Sequence, residues 1–419
     1  MFKHTTAYIL TVISFMLISM SSSADEYAVG VTYFTATDYS RTEHLTPNHA
    51  DYREILIKIW YPTTMPSPSA SYLHFHTEQF PYSTAMPTDN DIQLHQYLKT
   101  LPFELSKNAP LAQSSSPFPV VMYSHGYQST VEDKEILMIA LAKKGYIAVS
   151  VGHPHHAQFV TLSDGQSATY DQDARANDFY ISELADVNFE ELVAELDSLA
   201  GVDLNDEQVE RVYQLMSWTE GDRKGLDLWV ADMHFALDQL TRLQYGQYWG
   251  MHYAGEHLKT FKGQLDLSQL AAIGLSFGGP TVAAFCHQVY QCKGAINFDG
   301  LHFNLSPTMP SLKPYLMMHS ELPLNGDYSV VFNQQIADTY MLQIDGALHW
   351  DFSDYPYVFP FDRNRPYLGS IDPYLVTDIV NSISLKFIDA YLKKTATKTE
   401  LTELLESYAP VRFKSKLDN

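Results

Sequence analysis

Ser276 stands among glycines in Gly274-Leu275-Ser276-Phe277-Gly278-Gly279, with the apolar run Leu270–Ile273 before it and the helix-forming stretch Pro280–Tyr290 after it. A serine on so sharp a strand-to-helix turn is lifted clear of its neighbours, where its hydroxyl can attack a carbonyl carbon. The glycines matter because strand and helix nearly touch there, and side chains would hold them apart. Pro280 falls in the first helical turn, where a missing N–H costs nothing. An activated serine needs a histidine to take its proton and a carboxylate to hold that histidine's tautomer. The chemistry to look for is therefore acyl transfer through a covalent intermediate. The alternative is a glycine-rich turn that merely shows a serine to solvent.

Four histidines follow Ser276, namely His287, His302, His319 and His349. His287 lies on the helix after the serine, and His319 ends a strand as a core or rim residue. His302 sits near a candidate acid and reads as a substrate contact. His349 follows the last strand in Asp345-Gly346-Ala347-Leu348-His349-Trp350, a loop at the carboxyl edge where ligands collect in open α/β sheets, and is the expected base. Two carboxylates directly follow strands, Asp299 after Lys293–Phe298 and Glu321 after Pro314–His319; Asp299 is placed first. Asp345 and Asp351 are too near His349 in sequence. The oxyanion needs two N–H donors. Phe277 supplies one, and Tyr127, after Ser124-His125-Gly126, supplies the other, with His125 as a structural hydrogen-bonding residue. Gly152-His153-Pro154-His155-His156 reads as pocket rim rather than a metal site, because its spacing puts no two ligands on one helix face. No cofactor and no metal is expected.

The elements around these residues must deliver them to one edge. Phe118–Ser124, the helical stretch Val131–Lys144 ended by Gly145, and Tyr146–Val151 form a strand–helix–strand unit, which implies a parallel sheet. Tyr27–Phe34 and Glu54–Tyr61 read as an antiparallel start, and residues 62–117 as an irregular excursion with a short helix at Ile92–Leu105. Residues 155–265 break the rhythm. The amphipathic helices Asp186–Leu199 and Asp206–Trp218 are expected to form a cap, and Leu226–Leu243 to return the chain to the sheet. The many acidic residues there read as solvated helix faces. After Ser276 come strands Lys293–Phe298, Pro314–His319 and Tyr340–Ile344 and helices Tyr328–Ala337 and Ile371–Leu392. The order serine, acid, histidine is that of α/β-hydrolases. The expected fold is accordingly an α/β-hydrolase, a mostly parallel sheet with helices on both faces and a helical cap insertion within 155–265.

Lys3, the apolar stretch Ala7–Met20 and Ser22-Ser23-Ala24 read as a cleavable signal peptide over 1–24, leaving a catalytic domain at 25–419 that works in the periplasm or is secreted. The chain of 419 residues carries 49 acidic against 27 basic residues, a formal charge of −22. That balance argues against nucleic acid and leaves membrane contact peripheral at most. A small-molecule or lipid ester is the expected substrate. The two cysteines, Cys286 and Cys292, form either a bridge closing a short loop or a pair of buried thiols; in an exported chain the bridge is preferred.

Several pieces together resemble the plasma-type platelet-activating-factor acetylhydrolases and their bacterial α/β-hydrolase relatives. They are Ile57-Lys58-Ile59-Trp60-Tyr61-Pro62, Pro119–Gly126, Gly145–His153, Gly274–Gly279, Gly294–Asp299 and His349-Trp350-Asp351-Phe352. The resemblance implies that the acid follows the strand after the elbow helix, which favours Asp299. It also implies a histidine followed by Phe and Asp, as His349 is by Phe352 and Asp354. The roles of Ser276, Asp299, His349, Tyr127 and Phe277 carry over, and with them calcium-independent hydrolysis of short or oxidised acyl esters. Leu275 stands where that family often has His. The same residues would also serve a hydrolase of polyesters, lactones or peptides. A catalytically silent hydrolase fold used for binding is the reading from another class.

Overall fold

The computed structural model describes residues 26–417 except 47, 49, 67–69, 73–88, 171–193, 196–197, 200–203, 218–219, 254, 303–312, 322–324 and 361–367. The expected signal peptide and most of Asp186–Leu199 lie outside the described residues. The elements that build the sheet and its cover are β1 (Ala28–Thr42), β2 (Tyr52–Thr63), α1 (Asp89–Thr100), β3 (Phe118–Ser124), α2 (Glu135–Lys143), β4 (Ile147–Val151), α3 (Asp206–Ser217), α4 (Glu220–Gln244), β5 (Leu265–Leu275), α5 (Gly278–Gln288), β6 (Cys292–Phe298), β7 (Tyr315–His319), α6 (Asn325–Gln334), β8 (Thr339–Ile344), α7 (Pro373–Ile388), α8 (Lys398–Ser407) and β9 (Val411–Lys416).

Among the described residues the main sheet has eleven strands, and its principal path runs from the two-residue strand Met251–His252 through β1, β2, β4, β3, β5, β6, β7 and β8 to β9. From β4 to β8 every neighbouring pair is parallel. The β1–β2, β2–β4 and β8–β9 pairs are antiparallel. The parallel strands read as continuous apolar runs because both faces are covered. Alternate side chains enter two separate cores: Val120 and Met122 join one, Val121 and Tyr123 the other. The first core takes Met233 and Leu240 of α4 and Phe285 of α5. The second takes Leu137 and Leu141 of α2 and the stripe Val376, Ile379, Val380, Ile383 and Phe387 of α7.

From β3 the chain crosses to β4 on one side, and from β5 it crosses to β6 on the other. The carboxyl ends of β3 and β5 therefore flank a topological switch point, the crevice where open α/β sheets bind ligands. Ser124 and Leu275 end those two strands. Cys286 of α5 and Cys292 at the start of β6 are joined by a disulfide with Cα atoms 5.2 Å apart, so the bridge alternative is the one the molecule adopts. Among the described residues no helix is long and apolar enough to cross a membrane.

Candidate active site

Ser276 leaves β5 with φ at +54°, a left-handed conformation that a non-glycine residue adopts only where its surroundings enforce it. Those surroundings are tight. A Cβ on Gly274 would lie 2.0 Å from the Gly278 carbonyl oxygen, and one on Gly278 would lie 2.1 Å from the Ser124 oxygen. Only glycine admits strand, turn and helix at that separation. The Ser276 N–H donates to the Phe298 carbonyl at 2.7 Å, and the Gly279 N–H to the Ser276 carbonyl at 2.9 Å, so the turn is fixed from both sides.

Strand register brings the other groups to the same edge. Leu275 pairs with Phe298 across β5 and β6, and the next residue on each strand is Ser276 and Asp299. Asp299 also has positive φ, +53°, and its N–H donates to Met318 at 2.8 Å. Its carboxylate accepts from Ser320 N–H at 2.7 Å and from Ser320 Oγ at 3.1 Å. It also meets His349 Nδ1 at 2.7 Å. Burial alone would raise this carboxyl, but the His349 hydrogen bond and charge, with the Ser320 N–H, hold it below its ordinary value. Asp299 is nearly fully buried while the His349 side chain keeps 25% of its surface, so the histidine stays accessible and the acid does not. On the β3 side, a Cβ on Gly126 would lie 3.4 Å from Ser276 Cβ, which places the Gly126–Tyr127 peptide directly beside the serine.

The remaining candidates lie elsewhere. Glu321 is exposed, and so is His287. His319 is buried with Nδ1 3.1 Å from the Ser320 carbonyl oxygen, in keeping with a core residue. His302 is corrected from a substrate contact to an internal residue: its ring sits between Asp327 at 2.9 Å and the Tyr315 hydroxyl at 3.0 Å, 3% exposed. The rim assignment is corrected for two of the three histidines in the run, while His155 stays half-buried. His153 is fully buried and His156 nearly so; the first stacks on Trp229 with ring centroids 3.9 Å apart, and the second accepts from Trp229 Nε1 at 2.7 Å. Among the described residues no three His, Cys, Asp or Glu side chains are grouped to hold a metal ion.

Asp232 overturns the reading of the acidic helices as solvated throughout. It is fully buried on α4, paired with Arg53 and His153. The signal was present in the spacing, since Asp232 stands three residues from Trp229 and directly before Met233 on the stripe that faces the core.

A second buried charge cluster ties the Gly126 turn to the His349 loop. Asp133 accepts from Gly126 N–H at 3.3 Å and Tyr123 Oη at 2.5 Å, while the Asp354 N–H donates to the Asp133 carbonyl at 2.7 Å. Buried Lys134 lies 3.7 Å from Asp354. Burial pushes Asp354 from 3.8 up to about 7; Lys134 and the Ile136 N–H oppose the rise and Asp133 and Glu135 add to it. A raised acid holds its proton more tightly in the folded state. Its contribution to stability is thus full below about pH 4 and lost as pH climbs through about 7. Asp354→Asn removes that titration. The variant's thermal stability relative to the unsubstituted protein should therefore improve between about pH 4 and about pH 8, and a constant difference would mean that Asp354 titrates normally in the fold.

A serine elbow at the switch point of a mostly parallel sheet, with helices on both faces, defines the fold as that of the α/β-hydrolases. Residues 18–407 match the family described as Platelet-activating factor acetylhydrolase, isoform II, and the chain belongs to that family. It is 23% identical over 307 residues to the platelet-activating factor acetylhydrolase of Cavia porcellus, a match covering 71% of this chain and 63% of that relative's length. Its fold is similar to the solved ferulic acid esterase from Streptomyces cinnamoneus, with a TM-score of 0.63 and 19% identity, covering 94% of this chain and 98% of the other.

Proposed function

We propose that the protein is an exported serine esterase that hydrolyses short-acyl or phospholipid-type carboxylic esters through Ser276, His349 and Asp299. The observation that carries this reading is the 2.7 Å contact between His349 Nδ1 and Asp299, at strand ends next to a serine held in a left-handed turn. A carboxylate on Nδ1 leaves Nε2 as the proton acceptor. His349 takes the Ser276 Oγ proton as the oxygen bonds to the ester carbon, and the carbonyl oxygen becomes an oxyanion against the Tyr127 and Phe277 N–H groups. Collapse breaks the ester C–O bond, and the departing alcohol takes the proton from His349. Water then attacks the acyl-enzyme with His349 again as base, releasing the carboxylic acid. The family and the name of the mammalian relative support an ester with a small acyl group. The disulfide supports an oxidising compartment, consistent with removal of residues 1–24 on export. Membrane contact, where the ester is a lipid, is peripheral.

Labelling with a fluorophosphonate tests the reading. One adduct on Ser276, with turnover of p-nitrophenyl esters that falls as the acyl chain lengthens, is expected. An unlabelled Ser276 would favour the silent binding fold, and turnover rising with acyl length would remove the short-acyl assignment.

A further inference from the structure

Behind the Ser124–Tyr127 turn runs a chain of hydrogen bonds that ends on α4. Arg53 Nε and Nη2 grip the two Asp232 oxygens at 2.7 Å each. Asp232 meets His153 Nδ1 at 2.9 Å, and because the carboxylate only accepts, that nitrogen carries the proton. Burial lowers the His153 ring despite the pull of Asp232, so it is neutral and its Nε2 accepts from Ser124 Oγ at 3.0 Å. The His153 main-chain N–H donates to His125 Nε2 at 3.1 Å. With Nε2 accepting, His125 must donate from Nδ1, and the Gly126 carbonyl receives that bond at 2.7 Å, beside a longer one from the Ser129 N–H at 3.1 Å. Burial and the neighbouring His153 push His125 down to about 3, which keeps it neutral. Ser124, His125, His153 and Asp232 are all fully buried.

The Gly126 carbonyl and the Tyr127 N–H are opposite ends of one planar peptide group, so fixing the carbonyl fixes where the N–H points. Glycine offers no side chain to oppose a flip of that group. A flip would turn the carbonyl oxygen toward the developing negative charge, which is repulsive where the N–H is attractive. Trp229 of α4 adds a second restraint. It stacks on His153, stands edge-on to His125 at 5.2 Å and edge-on to Phe277 at 4.8 Å. It also lies nearly parallel to the Tyr127 ring at 6.4 Å, so one helix braces both residues that offer an N–H to the oxyanion.

We infer that His125, with His153 and Asp232 behind it, is a positioning residue that holds the Gly126–Tyr127 peptide with its N–H toward the oxyanion. The inference rests on the reading of Ser276 as nucleophile and Tyr127 as donor. These three residues are buried behind the turn and act on the reaction through the peptide alone.

Two polar substitutions separate the two hydrogen bonds of His125. His125→Asn keeps an N–H donor near the Nδ1 position, whereas His125→Gln keeps an acceptor near Nε2 and lacks that donor. The Asn variant should hold kcat within about tenfold, and the Gln variant should lose about 10²–10³-fold, the loss that follows removal of one oxyanion donor. KM should stay within about threefold in both, since the ground-state ester gains little from the hole. Affinity for a trifluoromethyl ketone, which forms the tetrahedral oxyanion on the serine, should fall in step with kcat/KM. Equal kcat in the two variants, or a better Gln variant, overturns the inference. Ser124→Ala removes the hydroxyl on His153 Nε2 without disturbing the Arg53–Asp232 pair, and should lower kcat by about tenfold at unchanged KM. An unchanged kcat there would remove His153 and Asp232 from the chain. Fluorophosphonate labelling of the unsubstituted protein keeps the two readings apart: labelled Ser276 with the wrong ranking sinks only this inference, and unlabelled Ser276 sinks the esterase reading first.

Discussion

Ser276→Ala is expected to abolish ester turnover, with a fall in kcat of about 10⁶-fold and a circular dichroism spectrum that does not change. The substitution removes one oxygen. Alanine meets the same φ of +54° that serine already tolerates, and the N–H and carbonyl bonds of residue 276 to Phe298 and Gly279 involve main chain only. What remains is a site with base, acid and oxyanion donors but no nucleophile. Such sites keep a residual advantage over water of about 10³-fold, far below the intact enzyme. Retention of most activity by a folded variant would move the nucleophile elsewhere in the chain.

Asp299→Asn should cost kcat about 10⁴-fold with little change in KM, and the geometry explains why the amide does so much damage. Ser320 N–H donates to one carboxylate oxygen at 2.7 Å and His349 Nδ1 meets the other at 2.7 Å. An asparagine must turn its oxygen to the Ser320 N–H, because a main-chain donor cannot become an acceptor. Its NH₂ then faces His349 and favours the tautomer with the proton on Nε2, which cannot take the serine proton. Glu321→Gln, at an exposed position, should change kcat by less than about tenfold. Measured side by side on one p-nitrophenyl ester, the opposite order of the two variants would make Glu321 the acid.

The elbow was legible because its signal is local. Glycine spacing, an apolar strand before and a helix after all describe one stretch of chain, and β5 and α5 start and stop within a few residues of that reading except at the strand's polar start, Leu265–Gln269. The meeting of Asp299 and His349 at one edge was legible for a related reason: in a parallel sheet the residue that follows a strand lies at the working edge, so position after an apolar run substitutes for a contact map. The place of Asp232 on the buried face of α4 was legible in its spacing, but the partners it finds there were not. Arg53, His153 and Asp232 come from β2, the turn after β4 and α4, and nothing in any one segment announces the other two. Charged residues default to solvent, and only a partner at long range reverses that default. The helix α8 shows a different kind of miss. Thr397 and Glu400 form a reciprocal cap whose spacing is visible in the sequence, but with only Leu401 and Leu405 buried the apolar stripe is too thin to announce a helix. Strand β9 hid behind its alternation of Arg412, Lys414 and Lys416 with Val411, Phe413 and Ser415, which reads as a polar tail.

That last strand has a consequence for how copies of the molecule behave in solution. A sheet this wide leaves main-chain donors and acceptors at its margins, a standing template for another chain to extend. Here β9 lines one margin with three cationic side chains along six residues, in a protein whose overall formal charge is −22. The opposite margin is β1, capped along part of its length by two two-residue strands, Met251–His252 and Ser106–Lys107. Two copies meeting at β9 would bring like charges together and strip water from them. Pairing of two copies through their β9 edges is therefore opposed by charge.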